Sequence, residues 1–544
     1  MEHSTLPRRE FLKMLAAAFP AAAIDWDAFP VGPGGTKDTN EFDAIIIGSG
    51  LGGLSCAAAF ARQGFKALVV EQHDKPGGFA TAFSRPGGFL FDVSLHSTTV
   101  GERNGVRNLI NGFPEITEVE FLPHPSLFRA IYPDYDIRVP QRDLNAYIGI
   151  LNNLFPQDRE AIAGIFADMQ GLAQDIGRLS AARGNVDMSR FAVDFPSLAR
   201  FNGKTWGEML ETRVKNPKLQ AVISGQWGYY GLPPSKLSCF YYALPFIGYL
   251  TGGGYYPKGR SQDISNALAK YIEAHGGKIL LRSRVDRVLL KDGAASGVAT
   301  ADGKQFKSRV VVSNTNPFDL FKKMIGDGQV LAGEEAKWKS YSVSLSCFQV
   351  FLGLKKDLVR ELGVTDSEIF LEPSYDPETG YAGALKGDVE HGGIGISLYD
   401  NIYHGYSPGG KNTVGLLTLQ GYGPWEKFET DYEAGNKEEY RKAKERMADI
   451  LIERVEKALL PGLSAAIEVR DASTPLTVLR YTGHHRGAIY GWDQTVNNSG
   501  NVRVGHGTPI KNLYLAGAWS RPGHGYGAVI PSGLECFSEI MKTW

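Results

Sequence analysis

Residues 42–71 read FDAIIIGSGLGGLSCAAAFARQGFKALVVE. Positions 43–47 form a short Ile-rich apolar run, the pattern of a strand buried on both faces. The run breaks into Gly48-Ser49-Gly50-Leu51-Gly52-Gly53 and then into an Ala-rich segment with helical character to about Gln63. Gly64 is placed to cap that helix. Positions 66–70 make a second apolar strand, which ends on Glu71. Each part has a physical task. Gly48 permits the tight turn, Gly50 lets backbone approach a pyrophosphate, and Gly53 lets helix and strand pack closely. The unpaired N–H groups and partial positive charge of the helix N-terminus favour phosphate. Glu71 is placed to accept hydrogen bonds from ribose hydroxyls. A lone G-x-G-x-x-G is weak evidence in a chain with 65 glycines. Strand, turn, helix, strand and terminal carboxylate in that order specify a dinucleotide-binding βαβ unit.

At 544 residues the chain exceeds what one core usually supports, so two intimate domains are expected. With 58 basic and 59 acidic residues there is no global field to draw nucleic acid. Cys56, Cys239, Cys347 and Cys536 lie far apart without metal-ligand spacing, and Cys56 reads as a buried thiol of the first helix. His484, His485 and His506 lack carboxylate or cysteine partners at ligand spacing, so no metal is expected. No run of 18 apolar residues offers a membrane span. At the N-terminus, Arg8-Arg9-Glu10-Phe11-Leu12-Lys13 precedes a mildly apolar run containing Ala21-Ala22-Ala23. The arginine pair, the Phe-Leu-Lys and the small-residue cleavage site resemble a bacterial twin-arginine export signal, which predicts a periplasmic protein. The plainer readings are a basic amphipathic helix or a disordered tail. Positions 24–40, with Gly and Pro at 32–35, then read as a linker outside the fold.

Beyond Glu71 and Gln72 comes Pro76-Gly77-Gly78, a paired glycine that lets a loop pass close to a dinucleotide. Phe89-Leu90-Phe91-Asp92-Val93-Ser94-Leu95-His96 follows. Glycine turn, ribose acid, Gly-Gly and this segment succeed one another as in the phytoene desaturases, carotenoid isomerases and retinol saturases. The chain resembles that flavoprotein family, itself close to the flavin amine oxidases. Further matches are Gly252-Gly253-Gly254-Tyr255-Tyr256-Pro257-Lys258-Gly259, the strand at Val285, whose backbone meets the adenine in the family, and Val312-Ser313-Asn314. One departure is Arg260, where the family usually has a second glycine.

The last element is Gly517-Ala518-Trp519-Ser520-Arg521-Pro522-Gly523-His524-Gly525-Tyr526-Gly527-Ala528-Val529. Gly517 and Ala518 are expected near the pyrophosphate, and Gly527, Ala528 and Val529 near an isoalloxazine. Pro531 is expected to open the C-terminal helix, since Pro is tolerated in a first turn. With only one complete nucleotide turn, the resemblance implies FAD as the cofactor. The fold class expected is α/β, a Rossmann-type FAD-binding domain assembled from discontinuous segments (41–125, 251–325 and 471–544). An α+β substrate domain takes 126–250 and 326–470. Positions 342–352 and 414–419 read as strands there. A charged helix over 438–459 shows Met447, Ile450, Leu451 and Val455 on one face.

Between 226 and 250 lies an aromatic tract, including Trp227, Tyr229, Tyr230, Tyr241, Tyr242 and Tyr249. Such a cluster is commonly plain core, and with Gly and Pro interleaved it also suits a deep apolar pocket or a membrane-facing mouth. The resemblance implies an apolar polyene or isoprenoid-like lipid, desaturated, saturated or isomerised at a carbon–carbon bond. An exported desaturase would pass electrons to a quinone or a cytochrome, so oxidation is slightly favoured. His96 and His524 fall in segments expected near the flavin, where each is a candidate acid or base or a hydrogen-bonded structural group. Tyr490 and Trp492 are candidate walls of the ring. The competing readings are a flavin amine oxidase and an exported lipid- or pigment-binding flavoprotein without turnover.

Overall fold

The computed structural model describes residues 26–32, 40–100, 106, 112–182, 186–326 and 328–544; Arg8, Arg9 and the Ala21-Ala22-Ala23 site lie outside the described residues. A seven-stranded sheet carries the first domain. Its parallel part runs in the order Leu513–Leu515, Gln305–Ser313, Glu41–Ile47, Ala67–Val70, Lys278–Leu280. The hairpin Val285–Lys291 and Ala294–Thr300 extends one edge. The glycine-turn helix Leu51–Arg62 covers one face, buried at every residue from Leu51 to Ala61, and packs against the C-terminal helix Tyr526–Met541. Cys56 and Cys536 sit in that contact, and all four cysteines are buried free thiols.

A second seven-stranded sheet, largely antiparallel, carries the substrate side. Its order is Ile467–Ser473, Ser346–Leu354, Asn412–Gln420, Ile394–Ser397, Glu368–Leu371, Phe128–Ile131, Asp136–Val139. The strand Ile467–Ser473 runs across the expected boundary at 470, held by backbone pairing along Ser346–Leu354. That central strand starts at Ser346 rather than at 342 and is buried at every position. Phe348, Val350 and Leu352 pack under the helix Glu438–Ala458, while Cys347, Gln349 and Phe351 face an internal cavity. This is the period-2 alternation of a strand with two covered faces. The helix Glu438–Ala458 buries Tyr440, Ala448, Leu451, Ile452 and Val455; Met447 and Ile450, expected on that face, are only partly buried at its rim. A helical layer, including Arg159–Ala181 and Cys239–Gly252, closes the cavity from the other side.

Two further expectations are corrected, and the departure at Arg260 finds its place. Residues 26–32 are part of the fold: Trp26 meets Phe113 edge-on with centroids 5.8 Å apart, and Phe29 meets Phe537 at 5.2 Å. The Gln63 side chain donates to the Trp26 carbonyl at 2.9 Å. Two aromatic rings give the segment enough apolar area to dock despite its Gly and Pro neighbours. The C-terminal helix opens at Tyr526, with Gly525 at φ +82° as its cap, so Pro531 lies inside the helix. Arg260 adopts φ +66°, the left-handed backbone a glycine would take there, and is 1% exposed. Its guanidinium lies against the rings of Tyr399 and Tyr406 (5.4 and 4.7 Å) and donates to the Tyr406 carbonyl at 3.2 Å.

Candidate functional site

The glycine turn is built as its sequence demands. Gly48 has φ +91°, and a Cβ on Gly53 would run into the Gly48 carbonyl and lie 3.1 Å from Ile46 Cγ2. Gly50 caps the helix without a side chain, which leaves the first-turn N–H groups for a ligand. Glu71 is 6% exposed. Its Oε2 accepts from the Ser49 backbone N–H at 2.8 Å and the Ser49 hydroxyl at 2.6 Å, and its Oε1 accepts from the His73 N–H at 2.8 Å. A carboxylate has about four acceptor positions, so three protein donors leave capacity for a ribose hydroxyl. Gln72 follows on the exposed side of the chain. Gly77 pairs with Gly50, its N–H donating to the Ser49 carbonyl at 2.9 Å. A Cβ on Gly78 would stand 3.2 Å from Gly50 Cα.

The C-terminal segment closes on the same point. A Cβ on Gly52 would lie 2.7 Å from Gly517 Cα, and one on Gly517, at φ +91°, would strike the Asn314 side-chain amide. With its amide turned to satisfy both neighbours, Asn314 accepts from the Gly50 N–H and donates to the Ala516 carbonyl, each at 3.2 Å. Gly517 N–H donates to Ser532 Oγ at 2.9 Å. Gly525 and Gly527 face open space, with no atom within 4 Å of an added Cβ. The first turn of the C-terminal helix therefore points bare backbone into the cavity, a position that favours negative charge.

The cavity has a volume of about 1440 Å³. A site for one small ligand is typically ~300–1,000 Å³, so this one has room for a cofactor and a substrate together. Of the residues expected to hold the cofactor, Gly50, Leu51, Gly52, Gly77, Gly78, Asn314, Gly517, Ala518, Gly527, Ala528 and Val529 line it. Gly48, Gly53, Glu71, Gln72 and Val285 stand behind that wall; Val285 begins the edge hairpin with its side chain in the core. These residues fit FAD. Three backbone segments lacking side chains converge, two helix N-termini face the space, and Trp519 Nε1 in its wall is buried without a partner.

The remaining wall is mostly apolar: Tyr230, Tyr241, Leu244, Phe351, Phe370, Ile394, Ile396 and Leu417. The aromatic tract divides by face, with Tyr242, Phe246 and Leu250 in the helical core and Tyr229, Tyr241 and Tyr249 on the cavity. Both candidate histidines line it. His96 Nδ1 lies 2.8 Å from Ser397 Oγ, and burial pushes its imidazole down to about 4. His524 stacks on Tyr490, its Nε2 is buried without a partner, and burial beside Arg503 holds it well below the ordinary range. Both imidazoles are neutral near pH 7, suited to hydrogen bonding. Trp492 packs behind on Trp519, centroids 5.1 Å apart, and does not reach the cavity. His484 Nδ1 pairs with the Ala488 carbonyl and His506 Nδ1 with that of Leu515.

Sequence reasoning missed one group. Glu368 is 3% exposed and lines the cavity, taking hydrogen bonds from the hydroxyls of Tyr229 and Tyr249. Burial raises its carboxyl to about 7 against the smaller opposing pull of those hydroxyls. Glu372, two pleats further along the same face, is raised by burial to about 8.

The family model for flavin-containing amine oxidoreductases matches residues 51–536. Prolycopene isomerase 1, a chloroplastic protein of an Oncidium hybrid cultivar, is 28% identical over 93% of this chain and 85% of its own. The all-trans-retinol 13,14-reductase of Danio rerio is 26% identical over 92% of this chain and 86% of its own. The backbone also resembles an oxidoreductase from Methanosarcina mazei, with a TM-score of 0.60, 16% identity, and coverage of 91% of this chain and all of that one.

Proposed function

The chain belongs to the family of flavin-containing amine oxidoreductases, and from that premise we propose that this FAD enzyme acts on a carbon–carbon bond of a long apolar isoprenoid or polyene. The observation that carries the reading is the cavity of about 1440 Å³, whose glycine-lined half suits the cofactor and whose apolar half suits a lipid chain. The named relatives, a prolycopene isomerase and a retinol reductase, support the same substrate class. The bound flavin supplies two-electron chemistry. Bound FAD would be held at its pyrophosphate by the backbone of Gly50–Gly52 and Gly517 and at its ribose by Glu71, and the bare first turn at Gly525–Gly527 would stabilise negative charge. Phe351, Phe370, Ile396 and Leu417 strip water from the substrate and hold it extended.

The twin-arginine resemblance at Arg8 and Arg9 supports a periplasmic enzyme, one that passes electrons to a quinone or a cytochrome and takes up its lipid through peripheral membrane contact. Among the described residues no helix is long and apolar enough to cross a membrane. The test is anaerobic mixing of the purified protein, in its yellow oxidised form and after dithionite reduction, with prolycopene, all-trans-retinol and simple amines. Conversion of a polyene supports the reading. Bleaching by amines with no polyene conversion favours the amine oxidase, and binding without spectral change or product favours a carrier. Replacing Arg8 and Arg9 by Lys should strand the protein in the cytoplasm; undiminished export would remove the localisation.

A further inference from the structure

We infer that Glu368, gripped by Tyr229 and Tyr249 in the wall of the apolar cavity, is the catalytic group that exchanges a proton with a substrate carbon. The inference rests on the proposed carbon–carbon chemistry and adds the acid–base partner that chemistry requires. In the oxidising direction, one C–H bond of the substrate breaks with its electron pair, which leaves as hydride to the flavin. The adjacent carbon yields its proton to the Glu368 carboxylate, and the electrons of that second C–H bond become the new C=C. Saturation is the exact reverse, with the Glu368 carboxyl as proton donor.

The geometry sets this residue apart from Glu372 on the same face, since the hydroxyls of Tyr229 and Tyr249 are both given to Glu368. Glu368 opens the strand Glu368–Leu371, and its neighbour Phe370 on the same face also lines the cavity, so the carboxyl stands among groups that contact an apolar chain. Its two oxygens take the hydroxyls of Tyr229, on the turn Trp227–Tyr229, and Tyr249, on the helix Cys239–Gly252. Tyr249 reaches on to Ser97 Oγ at 2.7 Å. A chain of hydroxyls thus runs from the carboxyl into the segment carrying His96. Opposite Glu368 in the sheet lies Ser397, whose hydroxyl meets His96 Nδ1. The titratable groups facing Glu368 are therefore Tyr229, Tyr249, Tyr399 and, across Ser397, His96.

The competing groups fit less well. His96, His484 and His524 are all driven down by burial, which leaves them weak bases and almost never acids near neutral pH. A carboxyl raised to about 7 by the same burial is matched to proton exchange there. The tyrosine hydroxyls are raised further still and act as donors holding the carboxylate in place.

The test uses the flavin-loaded full chain with all-trans-retinol and prolycopene as probes, with dithionite as electron donor for saturation and a soluble quinone as acceptor for desaturation. Difference infrared spectra of the resting protein should show a protonated carboxyl band that titrates near pH 7 and is absent in Glu368→Gln. That readout is independent of turnover. Glu368→Gln should keep its flavin and lose at least ~100-fold in kcat with little change in KM, the usual contribution of a positioned acid or base. Glu368→Asp should retain part of the rate. The pH profile of kcat should bend near 7, rising with pH for desaturation and falling for saturation. In Tyr229→Phe/Tyr249→Phe the bend should move to higher pH, because the lost hydroxyls favoured the ionised form. If Glu368→Gln sheds flavin, the double tyrosine variant and Glu368→Asp decide the matter. Wild-type conversion with an unaltered rate and pH profile in Glu368→Gln overturns this inference alone. Failure of the wild type to convert either probe overturns the proposed function, and this inference with it.

Discussion

The His524 imidazole lies nearly parallel to the Tyr490 ring, centroids 4.2 Å apart and planes 29° apart. The Tyr241 hydroxyl donates to the His524 carbonyl at 3.0 Å and accepts from its N–H at 3.1 Å, so the backbone there is fixed independently of the imidazole. Nε2 is left buried, in the cavity wall, and unpartnered. A buried donor or acceptor costs about 1–3 kcal/mol when unmet, so this nitrogen is best explained by a ligand that completes it. His524→Phe preserves the stack and removes both ring nitrogens, the unpartnered Nε2 and the one bonded to the Tyr230 backbone. It should leave the melting temperature within a degree or two while lowering ligand affinity or turnover about tenfold. Equal kinetics in the variant would assign His524 to packing alone.

Gly517 and Asn314 approach each other closely in the cofactor grip. An alanine at 517 faces two penalties: a left-handed φ of +91°, and a methyl driven into the Asn314 amide. Ala at positive φ alone costs more than ~1 kcal/mol. Because Asn314 also braces Gly50 and Ala516, the collision transmits to the pyrophosphate cradle. Gly517→Ala should lose flavin on dialysis, read as the ratio of absorbance at 450 nm to that of protein. Gly149→Ala, on the helix Leu144–Leu154 away from the cavity wall and with nothing within 4 Å of its Cβ, should retain its flavin.

How much of this was legible in the sequence follows from how local each constraint is. The βαβ unit, Asn314 and Gly517 were readable because a backbone that must approach a ligand admits only certain residues over a few positions. The family resemblance that these motifs carry holds over residues 51–536. Glu368 was invisible for the opposite reason. In Ser367-Glu368-Ile369-Phe370 a single Glu beside Ile and Phe carries no local mark of the burial it meets. The partners that bury it lie 139 and 119 positions away. Likewise, Gly and Pro at 32–35 signal a linker, and nothing local announces that Trp26 will find Phe113. The early start of the C-terminal helix is a milder case: Gly525 supplies the cap at positive φ, which the conspicuous Pro531 masked.

Trp26 supplies a stability test of that docked segment. Its ring is only partly buried, lies edge-on to Phe113, and carries the Arg62 guanidinium 4.4 Å above it. Full truncation of a buried Trp costs about 3–5 kcal/mol, so partial burial suggests about 2 kcal/mol for Trp26→Ala. The docking site lies on the faces of Leu51–Arg62 and Tyr526–Met541 away from the cavity, so flavin content should hold. Urea unfolding should show the loss. A change below 0.5 kcal/mol would mean that the segment rests on the domain without stabilising it.

Glu368 also makes a stability prediction separate from catalysis, and its sign is fixed by linkage. Burial raises the carboxyl from 4.5 in the unfolded chain to about 7 in the fold. Below pH 4.5 both states hold the proton, and Glu368 has no pH-dependent effect. Between 4.5 and 7 the unfolded chain releases its proton while the folded one keeps it, so stability falls as pH rises. Above 7 the penalty is constant, on the order of 3 kcal/mol for a shift of this size in a group 3% exposed. Glu368→Gln has no proton to lose. Its melting temperature should match wild type near pH 4.5, exceed it increasingly to pH 7, and hold a constant advantage to pH 9. A variant less stable than wild type at pH 9 would mean that the ionised carboxylate is favourably solvated, and the cavity around residue 368 would then be wet rather than apolar.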